Sequence, residues 1–85
     1  MSKRSVEGEE LEHRIRKWVE FEEEARRIRR EMADWEFIEK QEPRIREALK
    51  YYIEKGDIRR ASILAGIDLE EFREFLRKAR IPVIV

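Results

Sequence analysis

The sequence predicts an all-α protein, and three observations carry that prediction. From about Glu9 to Gln41 there is no proline or glycine, while apolar residues recur three and four apart. Pro43 and Gly56 bracket a second periodic run, and a third stretch reads as two short helices meeting at Gly66. The expected architecture is a long N-terminal helix, a module of three shorter helices over 43–80, and an extended tail over 81–85.

Residues 1–8 carry no periodic apolar pattern and are expected to be disordered. The helix over 9–41 presents Leu11, Trp18, Phe21, Ala25, Ile28, Met32 and Trp35, and after Leu11 the spacing is that of a coiled-coil seam, interrupted near its start by Arg14. Glu22 with Arg26 and Glu23 with Arg27 are acid-before-base pairs four apart, so the run EEEARRIRR reads as a solvated helix face. A strand over 14–21 is the weaker reading because the helical period continues through it. Such a helix would be about 45 Å long, more than the other half of the chain can cover. Two readings follow: homodimerisation through the stripe, or a bend near Ala33-Asp34 that makes an intrachain hairpin.

Pro43 fits the first position of a helix that runs to Lys55 and ends at Gly56, with Ile45, Leu49, Tyr52 and Ile53 inward. Asp57 can cap a helix that begins at Ile58, where Ala61, Ser62 and Ala65 form a small-residue strip for close crossing. Gly66 supplies the left-handed turn, Ile67 plugs the corner, and Asp68 caps a last helix whose Leu69, Phe72, Phe75 and Leu76 face one way. In this order the signals describe a helix-turn-helix. Pro82 stops the last helix, and the β-branched residues of IPVIV favour an extended tail, either a docking element or a cover for the module's own core. Ile81, Val83 and Val85 therefore join the seven stripe residues as candidate dimer or partner contacts.

Charged residues make up 47% of the chain, asparagine and threonine are absent, and Gln41 is the only glutamine. This amide-poor, ion-rich composition is the kind expected of a hyperthermophile. Net charge is +0, which argues against a strongly basic nucleic-acid module. With no cysteine, no signal-peptide pattern and no membrane-length apolar run, the expectation is a cytoplasmic protein without membrane contact.

Catalysis has little to stand on. His13 is the only histidine, it sits in a charged helix, and no cysteine or serine constellation accompanies it. No metal or cofactor motif is present, so the chain is read as a non-enzyme without cofactors. The groove-facing positions of the second motif helix would be Asp68, Leu69, Glu70, Arg73, Glu74 and Arg77, half of them acidic. Candidate DNA contacts are Arg59, Arg60, Arg73, Arg77 and Lys78, opposed by those carboxylates.

The run from Ala48 to the end resembles an uncharacterised family of small prokaryotic, often archaeal, helix-turn-helix proteins of VapB-like antitoxin type. The matching residues are Ala48, Leu49, Tyr52, Lys55, Ala61, Leu64, Ala65, Gly66, Ile67, Glu71, Phe72, Leu76, Ile81, Pro82 and Val83. Asp57 stands for the pattern's capping serine, Ser62 and Ile63 for an Ala-Glu pair, and Arg80 for a glycine before Ile-Pro. The resemblance covers the C-terminal half and implies an antitoxin-like homodimer that binds a PIN-domain ribonuclease toxin and regulates its own operon. The alternatives are a stand-alone DNA-binding regulator and a structural dimerisation module.

Overall fold

The computed structural model describes residues 2–83, with side chains from Glu10 onward. Met1 and the side chains of 2–9, where a disordered start is expected, lie outside the described residues, as do Ile84 and Val85 of the tail. Five helices follow one another: α1 Ser2–Met32, α2 Trp35–Glu39, α3 Pro43–Lys55, α4 Ile58–Ala65 and α5 Leu69–Lys78. No strand occurs among the described residues.

The expected helix over 9–41 is broken. Helix α1 stops at Met32, and the Asp34 carboxylate accepts a hydrogen bond from the Phe37 amide at 3.1 Å to cap α2. The break is held from both sides. The Asp34 amide donates to the Ala79 carbonyl at 2.7 Å, and the Trp35 indole donates to the Arg30 carbonyl at 2.9 Å, satisfying an acceptor that the end of α1 would leave open. Ala33 and Ile38 thereby enter the core.

Helix α3 is the hub and touches α1, α2 and α4. It starts on Pro43, whose missing amide would have been unpaired in the first turn in any case, and the Glu42 side chain makes no capping bond. Its apolar face of Ile45, Ala48, Leu49, Tyr52 and Ile53 is buried throughout. Helix α4 crosses it closely through Ala61, Ser62 and Ala65, all buried, while Asp57 and Asp68 cap α4 and α5 by accepting from the Arg60 and Glu71 amides. Phe72 and Leu76 of α5 complete the core, with Phe72 edge-on to the Tyr52 ring at 6.4 Å. Burial also pushes the Tyr52 phenol above its ordinary pKa.

Two glycines and one arginine take the left-handed conformation at helix ends. Gly56 (φ 69) closes α3 and Gly66 (φ 72) closes α4. Arg80 (φ 58) follows α5, where the Ile81 amide returns to the Leu76 carbonyl at 2.9 Å. Ile81 is thereby folded into the core, 3% exposed. Its expected role as a free partner contact is corrected: the start of the tail covers the module itself.

Candidate protein-interaction surface

Helix α1 has 31 residues, about 46 Å of helix, yet packs on the rest of the chain only near its C-terminal end. Ala25, Arg29 and the following Ala33 are buried against the α2–α5 unit. The expected partner contact at Ala25 is therefore an intrachain one, made because α3 lies across that turn. The molecule is 58 Å long and 24 Å and 17 Å across, with a radius of gyration of 16.8 Å against about 12 Å for a compact chain of this length. The excess length is the α1 arm.

Three arginines fasten the arm. Arg26 Nε donates to the Glu54 carbonyl at 2.8 Å and Arg29 Nε to the Ile53 carbonyl at 2.9 Å, filling open acceptors in the last turn of α3. Arg30 grips the Glu54 carboxylate at 2.6 Å. Arg29 is 3% exposed, makes no ion pair among the described residues, and lies 5.6 Å from the centre of the Tyr52 ring. One of its terminal nitrogens, Nη2, has no hydrogen-bond partner among the described residues. Its charge is offset by the carbonyl end of α3 and the ring face. The same device recurs at Arg44, which donates to the Leu64 carbonyl and lies over Gly66 at the end of α4.

The face that α3 covers continues up the arm with nothing on it. At about 100° per residue, Leu11, Ile15, Trp18 and Glu22 lie within about 40° of Arg29 around the helix. Leu11, Ile15, Trp18, Val19 and Phe21 are all exposed, Trp18 by 65%. The structure thus places the expected Leu11 and Trp18 at the centre of this free face and Phe21 about 80° to one side, and adds Ile15 near the centre and Val19 about 80° to the other side, both of which a seam drawn through Arg14 passes over. Met32, at the helix end, and Trp35, on α2, are exposed elsewhere, and Ile28 is half-buried. Val83 is exposed; Val85 lies outside the described residues.

The candidate DNA contacts are distributed differently. Arg59 and Arg60 are exposed in the first turn of α4, and neither they nor Arg73 make an ion pair among the described residues. Arg77 is bound to Glu74 at 2.7 Å, which lowers the carboxylate pKa and raises that of the guanidinium. Lys78 stands 6.0 Å from the Phe75 ring centre. Asp68 and Glu70 open α5 with negative charge, and the Asp68 carboxylate is committed to capping. His13 is exposed on the arm, and no group of acidic or histidine residues among those described is placed to hold a metal ion. No described helix is long and apolar enough to cross a membrane. Comparison with protein-family models, with curated proteins and with solved structures finds no match to this chain.

Proposed function

We propose that the chain is a non-enzymatic interaction protein of antitoxin type, in which α3–α5 form a small helix-turn-helix platform and the α1 arm contacts other proteins. One observation carries the interaction role. The arm extends the face already used against α3, and its five large apolar side chains remain exposed, an arrangement that marks contact sites in small proteins. The class of partner, a PIN-domain ribonuclease whose activity the chain suppresses, rests on the resemblance of residues 48–83. Acidic side chains at the start of α5 suit a basic protein better than a polyanion.

The test is co-expression with a PIN-domain protein encoded beside this chain. A stable complex in which ribonuclease activity falls supports the proposal; a neighbour that neither binds nor is inhibited overturns it. Autoregulation is a second reading favoured by exposed Arg59, Arg60 and Arg73, none of which is ion-paired among the described residues. It predicts operator binding that weakens steeply with salt and is lost when these arginines are reversed to glutamate.

A further inference from the structure

We infer that the corner between α3 and α4 binds a phosphate group, held by the Arg29 guanidinium and the first amides of α4, with Arg59, Arg60 and Arg73 around it. The site is separate from the apolar face of the arm and does not depend on the antitoxin reading.

Arg29 is the observation that points to a ligand. It is 3% exposed, makes no ion pair among the described residues, and has a terminal nitrogen, Nη2, without a hydrogen-bond partner there. The Ile53 carbonyl takes only Nε, and the Tyr52 ring lies beside the group without accepting from Nη2. A buried donor left in this state is costly, and an anion relieves it. Both terminal nitrogens lie 3.2 Å from the point where a Cβ on Gly56 would stand, and Gly56 is exposed. No side chain of that residue therefore stands between the guanidinium and the surface of the corner.

The backbone around the corner favours an anion as well. The last carbonyls of α3 would repel one, but those of Tyr52, Ile53 and Glu54 already accept from the Gly56 amide, Arg29 and Arg26. Helix α4 begins two residues after Gly56, at most about 7 Å along the chain. Its Ile58 and Arg59 amides have no intrahelical acceptor by position, and Asp57 caps the next one, at Arg60. A tetrahedral oxyanion has enough oxygens to take the Nη1–Nη2 fork and these amides together, which a carboxylate has not.

The nearby acids are occupied and the nearby bases are free. Glu54 is held by Arg26 and Arg30, and the Asp57 carboxylate by the Arg60 amide. Lys55, Arg59, Arg60 and Arg73 are exposed, and none makes an ion pair among the described residues. Arg73 of α5 belongs to the same corner, since the Tyr52 phenol, raised in pKa by burial, is opposed in that shift by both Arg29 and Arg73. On a chain of net charge +0 this is a local concentration of positive charge.

The test is a titration of the ¹⁵N-labelled full chain with sodium phosphate, against sodium chloride at matched ionic strength and pH, followed by NMR. The Arg29 Nε–H, shielded by its bond to the Ile53 carbonyl, should shift together with the Gly56, Ile58 and Arg59 amides along one saturable curve. Arg29→Lys keeps the charge, loses the fork, and should weaken binding about tenfold. The double variant Arg59→Gln with Arg60→Gln alters only exposed side chains and should weaken it about threefold. No selective shift at about 50 mM phosphate, or the same shifts with chloride, would overturn the site. A DNA duplex of about 12 base pairs distinguishes two sources of the ligand. Shifts of the same resonances that phosphate reverses assign a nucleic-acid backbone; phosphate binding with no response to the duplex assigns free phosphate or a phosphorylated small molecule.

Discussion

Replacing Gly56 by alanine should destabilise the protein more than the same change at Gly66, although the two sites look alike. Both have positive φ, 69° and 72°, and in both an arginine guanidinium lies where a Cβ would be built. The left-handed conformation alone costs an L-residue about 1–2 kcal/mol, and the loss of glycine freedom in the unfolded chain returns about 0.5–1 kcal/mol at either site. The difference lies in what the Cβ meets. At Gly66 it comes within 3.0 Å of Arg44, whose exposed side chain can swing away and exchange its 3.2 Å bond to the Leu64 carbonyl for water. At Gly56 it comes within 3.2 Å of both Arg29 terminal nitrogens, and Arg29 is buried with its Nε bonded to the Ile53 carbonyl. Moving that guanidinium breaks a charged hydrogen bond and leaves a cation without its acceptor, adding about 1.5–3 kcal/mol. Gly56→Ala should therefore lose about 2–4 kcal/mol and Gly66→Ala about 0.5–1 kcal/mol. The assay is urea unfolding followed by circular dichroism, with both variants and wild type at the same protein concentration. Equal losses, or a larger loss at Gly66, would refute the claim that a locked arginine sets the cost.

Arg80→Gly should stabilise the fold by about 0.5–1 kcal/mol, seen as a higher urea midpoint with unchanged slope, because a non-glycine residue there holds φ 58 at a helix end. Phe72→Ala empties the centre of the core and should cost about 3–5 kcal/mol in the same assay. Asp68→Ala removes the cap on the Glu71 amide and should cost about 1 kcal/mol. Lys50 holds the Glu39 carboxylate below its ordinary pKa, mainly by a 2.8 Å contact, so that stability is present above the ordinary value and lost as pH falls through the folded one. Glu39→Gln should make the thermal midpoint fall less steeply between about pH 5 and pH 3; an unchanged slope would show that the pair adds nothing.

The unit from Pro43 to Ile81 was legible because its boundaries are chemical. Pro43, Gly56, Asp57, Gly66 and Asp68 each do at a helix end what only a few residue types do well, and the structure uses each of them there. The break after Met32 is marked more weakly: a bend near Ala33-Asp34 is one of the two readings the sequence allows and Asp34 caps α2 there, but no proline or glycine stands at the break and the apolar period runs through to Trp35. The long-range bond from the Asp34 amide to the Ala79 carbonyl, with the local bonds of the Asp34 carboxylate and the Trp35 indole, selects the break. Arg29 was the harder case. Within EEEARRIRR it is indistinguishable by type from Arg27 and Arg30, and its burial follows from sharing a helix face with Ala25 and from the open carbonyls at the end of α3. A seam drawn through Arg14 rather than Ile15 likewise holds Leu11 and Trp18 but leans toward Phe21 and Ile28 and passes over Ile15 and Val19.

The fastening of α1 decides what kind of contact the arm can make. A helix held by apolar packing alone could slide or rotate on α3, but Arg26, Arg29 and Arg30 engage two consecutive residues, Ile53 and Glu54, and thereby fix both its rotation and its register. Rotation matters most, because the stripe must leave the α2–α5 unit on the same side as Arg29 points. A turn of one residue, about 100°, would carry Trp18 off the side to which Arg29 points. The arginines therefore set the direction in which the free half of the helix presents its apolar face, as well as stabilising the end of α3. Any partner on the arm meets it preorganised, and the ordering cost of association falls mainly on the exposed side chains of the stripe.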